Sequence, residues 1–130
     1  MKLVKNVFMV LALLGSGYAS ANFSEIQQLT APDDKAIIFF YRTGRVGGAV
    51  KFHVHKPDGT AVGYLGKSGD SFSIEVAPGS HQFWSRAASR NDVSLTVEAG
   101  QVYYVKATVK VGLAVGRPVL EQVRIDQVPQ

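Results

Sequence analysis

Ser73 to Trp84 reads "SIEVAPGSHQFW". Its interpretation decides the fold. The stretch is either a pocket built around His81 and Trp84 or a reversal between two strands. Ser73 to Val76 alternates polar and apolar side chains, and so does the run from His81 onward. Strict alternation is the mark of a half-buried strand. Pro78-Gly79 sits between the two runs, proline fixing its own φ and glycine supplying a positive one. The stretch therefore reads as strand, turn, strand. Phe83 and Trp84 then fall on opposite faces of the second strand.

Outward from this point the same grammar repeats. Lys35 to Arg42, "KAIIFFYR", is apolar on both faces, with Ile37, Phe39 and Tyr41 on one and Ala36, Ile38 and Phe40 on the other. Such a strand belongs in the middle of a sheet, covered on two sides. The segment before it is the expected second cover. Val50, Phe52 and Val54 alternate with Lys51, His53 and His55, and Pro57-Asp58-Gly59 turns the chain into a short strand over Ala61 to Leu65. Gly66 to Asp70 reads as a loop, and so does the polar run from Arg86 to Asp92. Val93, Leu95 and Val97 alternate again. Val102 to Val111 is the longest strand, and Val119 to Ile125 closes the chain after a glycine-bearing loop with exposed Leu113 and Val115. Short strands at this spacing predict an all-β antiparallel β-sandwich of about seven or eight strands. A short N-terminal helix or extended segment over Asn22 to Thr30 precedes them.

The first residues carry a different signal. Lys2 and Lys5 precede an unbroken apolar run from Val7 to Leu14, and Ala19-Ser20-Ala21 follows. A basic start, an apolar middle and small residues at a cleavage site describe a secretory signal peptide. Cleavage is expected between Ala21 and Asn22. The run is too short to span a membrane, which takes about 20 apolar residues. Leu13-Leu14-Gly15-Ser16 resembles a lipoprotein box with serine in place of cysteine, and the chain has no cysteine. No lipid anchor and no disulfide is therefore expected in a periplasmic or secreted product. The organisation predicted is a signal peptide over residues 1–21, an N-terminal segment over 22–34 and a β-sandwich domain over 35–130.

Chemistry is sparse. The net charge of +4 loses Lys2 and Lys5 on cleavage, leaving a mildly basic protein without the strong basic patch of a nucleic-acid binder. His53 and His55 are two apart on a strand and share a face, and His81 starts another strand. Together they are the candidate zinc or copper site. The competing interpretation is a wet strand face. Ser80 and His81 are neighbours whose side chains point apart, and no G-x-S-x-G elbow occurs, so a hydrolase is the weaker alternative. Glu75 and Glu121 read as solvated carboxylates. "GYLGKS" lacks the first glycine of a phosphate loop, Ala61 standing there. The candidate binding face is Tyr104, Lys106, Thr108 and Lys110, extended by Lys51. Aromatic and cationic side chains on one face suit an envelope protein or a glycan. Neither a catalytic constellation nor a cofactor is expected.

Tyr41-Arg42, Gly59 with Gly63, Pro78-Gly79-Ser80-His81 and Glu98-Ala99-Gly100-Gln101-Val102-Tyr103-Tyr104 occur in an order that resembles a bacterial family of small exported domains of unknown function. Many of its members are envelope lipoproteins. The resemblance spans about Lys35 to Val123. It implies a transthyretin-like or PEGA-like β-sandwich, an envelope location and no known enzymatic activity.

Overall fold

The computed structural model describes residues 29–44, 50–111 and 116–128. The expected signal peptide, its cleavage site and most of the expected N-terminal helix lie outside these residues, as do Leu113 and Val115. Eight strands follow in order: β1 (Ala36–Arg42), β2 (Phe52–His55), β3 (Ala61–Leu65), β4 (Ser71–Val76), β5 (Gly79–Arg86), β6 (Arg90–Val97), β7 (Val102–Val111) and β8 (Gly116–Val123). A short 3-10 turn over Ile125–Gln127 ends the described chain.

The strands form two four-stranded sheets, β4-β1-β7-β8 and β3-β2-β5-β6, stacked as a sandwich. The all-β sandwich expected from alternation is the fold. Its first sheet is mixed, because β1 and β7 run parallel while every other pair is antiparallel. Alternation marks a buried face equally well in either orientation, so the parallel pair left no trace in the sequence.

The core lies between the sheets. Ile38, Phe40, Val105, Ala107 and Val109 project from the first, and Phe52, Val54, Phe83, Leu95 and Val97 from the second. The Phe40 ring stacks on Phe72 at 4.8 Å and meets Phe83 edge-on at 5.3 Å, which ties the sheets together at their centre. Arg42 ends β1 in the same layer and is buried. Its Nη1 donates to the carbonyls of Val50 (2.7 Å) and Leu65 (3.1 Å), and its guanidinium lies over the Phe52 ring. Burial draws its pKa down, opposed by the charge of Asp70. Arg42 thus closes one end of the core by capping a carbonyl of β3 and one of the segment leading into β2. Gly63 of β3 packs against the Phe72 ring so tightly that a Cβ would overlap it.

The loop expected from the polarity of Arg86 to Asp92 and the glycine-bearing one before the last strand are both shorter than their sequence implies. β5 runs through Arg86 and β6 starts at Arg90, so the polar loop reduces to residues 87–89. Arg90 and Asp92 are strand residues on the wet face, and their polarity reports that face, not a loop. Likewise β8 begins at Gly116 and ends at Val123.

Pro78-Gly79 makes no ordinary hairpin. β4 belongs to one sheet and β5 to the other, so the chain crosses between layers there. Gly79, with φ of +130°, permits the crossing.

Candidate functional site: a ring row on the open face

The outer face of the second sheet carries a row of rings from β3, β2 and β5 that ends on the Arg90 guanidinium of β6. Its construction follows from register. The Asp58-Gly59 turn pairs His53 of β2 with Tyr64 of β3, and their ring centroids lie 4.8 Å apart. His55 pairs with Trp84 of β5, stacked at 4.3 Å with 24° between the planes. Trp84 pairs with Asp92 of β6. The Arg90 guanidinium folds over the Trp84 ring at 4.4 Å. Since β2 and β6 flank β5, His55 and Arg90 cover Trp84 from its two sides.

The row is pinned by hydrogen bonds. Trp84 Nε1 donates to the carbonyl of Lys56 at 2.8 Å, and Ser85 Oγ donates to that of His53 at 2.9 Å. The ladder between β2 and β5 has one registered pair, so these side chains supply what the backbone does not. His55 Nδ1 lies 3.2 Å from the Gly59 carbonyl, which leaves Nε2 as the ring's outward nitrogen. Arg90 reaches Asp92 through Nε at 3.1 Å and Nη2 at 3.0 Å, and Gln82 donates to the same carboxylate. The Arg90 hydrogen bonds hold the Asp92 carboxyl below the usual carboxylate range. Tyr64 is 46% exposed at the sheet edge, and His53 beside it is exposed as well.

The three histidines do not assemble. His53 and His55 sit side by side, with centroids 6.1 Å apart. His81 lies three residues before Trp84 on β5 and therefore faces the other way. Its Nε2 lies 2.7 Å from the Ala77 carbonyl, and its ring lies parallel to that of Phe83. Among the described residues no group of three or more histidine, cysteine, aspartate or glutamate side chains is placed to hold a metal ion. Ser80 faces away from His81 as expected, with its Oγ 3.5 Å from Thr96 Oγ1.

The expected Tyr104 and lysine face is corrected in two respects. Tyr104 does point outward from β7, but it is only 7% exposed. It packs with Phe39, Tyr41, Val123 and Val128, and Leu29 and Val102 lie against them. Burial pushes its phenol pKa up. Lys51 precedes β2 in the opposite sheet, where its Nζ lies 3.5 Å from the Gly66 carbonyl, so it does not extend this face. The remaining half of the face is cationic. Lys106 pairs with Glu121 at 3.9 Å, and Lys110 lies opposite Arg117 of β8.

The crossing at Pro78 leaves a cavity of about 490 Å³ between the sheets. Val62, Ile74, Val76 and Phe83 give it an apolar wall, and Lys56, Glu75, His81 and Gln82 line the rest. A register shift between Val54 and His55 interrupts the β2–β3 ladder beside Val62, which packs against the core. Tyr64, Arg90, Asp92 and Arg117 were not singled out from sequence. Counting register back from the Asp58-Gly59 turn would have found Tyr64. The others needed pairings between strands whose partnership the sequence does not state. No protein-family model matches the chain, and no curated protein matches it.

Proposed function

We propose that the protein is an exported, non-enzymatic binding module of the cell envelope that contacts a protein or glycan partner through the outer face of its second sheet. The observation that carries this is the row Tyr64–His53–His55–Trp84–Arg90, held in place by Trp84 Nε1 and Ser85 Oγ and left open on its outer side. Rings and guanidinium groups fixed in advance lose little conformational freedom on contact, and they are the side chains enriched at interface cores. Both faces of Trp84 are already covered. The row therefore meets a partner with ring edges, the His55 Nε2 and the Tyr64 face, which suits a broad contact more than an enclosed small molecule.

The basic and apolar N-terminal sequence supports export, and the motif order supports membership of the small exported family it resembles. The mature protein then resides in the periplasm or outside the cell. Capture from an envelope extract tests the reading. A partner retained by the native protein and lost on Tyr64→Ala with His53→Ala supports it. Retention of every partner by that double variant overturns it, and so does turnover of esters, peptides or glycans by the purified protein.

A further inference from the structure

The four sheet edges are not alike. β8 carries Pro118 with Arg117 and Glu121, β6 carries Arg90 and Asp92, and β3 is short and interrupted by the register shift opposite Val54. Proline, charge and bulges are the devices that keep an edge from pairing with another chain. β4, "SFSIEV", has no proline and a single charged residue, Glu75, and its ladder with β1 is continuous from Ala36–Val76 to Tyr41–Ser71.

The direction of its backbone groups follows from neighbouring bonds. Ile37 N–H donates to Gln101 O and Thr43 N–H to Ala107 O, so odd-numbered residues of β1 bond toward β7. Arg42 N–H donates to Asp70 O, so even-numbered ones bond toward β4. In the observed register Phe72, Ile74 and Val76 of β4 therefore bond to β1. The N–H and C=O groups of Ser73 and Glu75 point to the open edge, and no described strand lies beyond them.

We propose that β4 is a self-association edge that pairs antiparallel with β4 of a second copy about a two-fold axis. An open row of alternating donors and acceptors is matched by another strand and not by a lipid or a sugar. The strand is complementary to itself. With Ile74 facing Ile74, Ser73 lies opposite Glu75 of the second copy and Glu75 opposite its Ser73, and each pair exchanges both of its backbone bonds. Hydroxyl meets carboxylate on the outer face, and no like charges oppose each other. The cavity, part apolar and part polar in its lining, lies directly beside Ile74 and Val76, open to the side chains of the arriving strand. Such an isologous contact closes on itself and forms no fibre. It uses a surface separate from the ring row, so the two stand or fall independently.

Sedimentation of protein purified from cells expressing the full chain, from micromolar to millimolar concentration, tests this. A monomer–dimer equilibrium is expected, with the amide protons of Ser73 and Glu75 exchanging more slowly as concentration rises. Ser73→Pro removes an N–H that β1 does not use, so circular dichroism and the unfolding midpoint should stay close to native while the dimer disappears. Should that variant misfold, Ser73→Lys gives the opposite reading. It places lysine against Glu75 of the second copy twice over and should tighten the dimer about fivefold. Tyr64→Ala should leave it unchanged. A monomer throughout, a dimer that survives Ser73→Pro in the folded variant, or one that Ser73→Lys leaves unaffected or weakens overturns the proposal.

Discussion

The two outer faces of the sandwich are written in similar residues and meet opposite fates. On the first sheet Phe39, Tyr41 and Tyr104 point away from the inter-sheet core, yet they are buried. On the second sheet His53, Tyr64 and Trp84 occupy the equivalent positions and stay accessible. The difference is made by the segments flanking the sandwich. Leu29 before β1 and Val128 after the 3-10 turn fold over the first face and build a second, smaller core. Nothing among the described residues covers the second face, and its rings are held by one another and by the backbone. An outward aromatic is therefore a core residue or a contact residue according to what the chain does before and after the sheet.

Truncating one ring on each face gives the largest expected contrast. Tyr104→Ala should cost about 3 kcal/mol, the range for emptying a buried aromatic site. Tyr64→Ala should change stability by less than about 0.5 kcal/mol, as exposed substitutions do. Urea unfolding of the two variants side by side measures the gap, and equal losses would break the comparison. Next in size is Arg42→Met, which leaves the carbonyls of Val50 and Leu65 without their buried donor. A loss of about 2 kcal/mol is expected in the same assay.

Alkaline titration should separate the faces without mutation. Burial raises the phenol pKa of Tyr41, with Glu121 adding to it, and burial alone raises that of Tyr104. A raised folded-state pKa means that stability is complete below the unfolded value, near about 10. It is then lost as pH climbs from there through the higher folded values. The unfolding free energy should fall above that pH, and the fall should shrink in Tyr104→Phe. A profile flat to pH 11, or a fall that the phenylalanine variant leaves unaltered, would contradict the buried face. A further modest loss is expected of Trp84→Phe. That variant keeps a ring between His55 and Arg90 but loses the bond to Lys56 O, at about 1 kcal/mol, read as a lowered thermal midpoint.

Much of the fold was legible because alternation reports burial directly. β1 with both faces apolar, the wet and dry sides of β2, and the positive-φ glycine at residue 79 all follow from local pattern. The site was less legible. Tyr104 alternated like a wet-face residue because period two says only which way a side chain points, and not what lies above it. Arg90 and Asp92 looked like loop because a strand with one solvated face is also polar. His81 seemed able to join His53 and His55 because a sequence does not say which layer a strand enters.

By itself the sequence determined that this chain makes strands, where they turn, and which residues are drawn between two sheets. Those outcomes depend on neighbours within a few residues and on the removal of apolar side chains from water. Only the tertiary structure decided that β1 runs parallel to β7, that His55 stacks on Trp84, that the terminal segments cover one face, and that no described strand lies beyond β4. Each of these depends on contacts between residues far apart in the chain. The free energy of such contacts comes from shape and pairing in three dimensions, which no local pattern encodes.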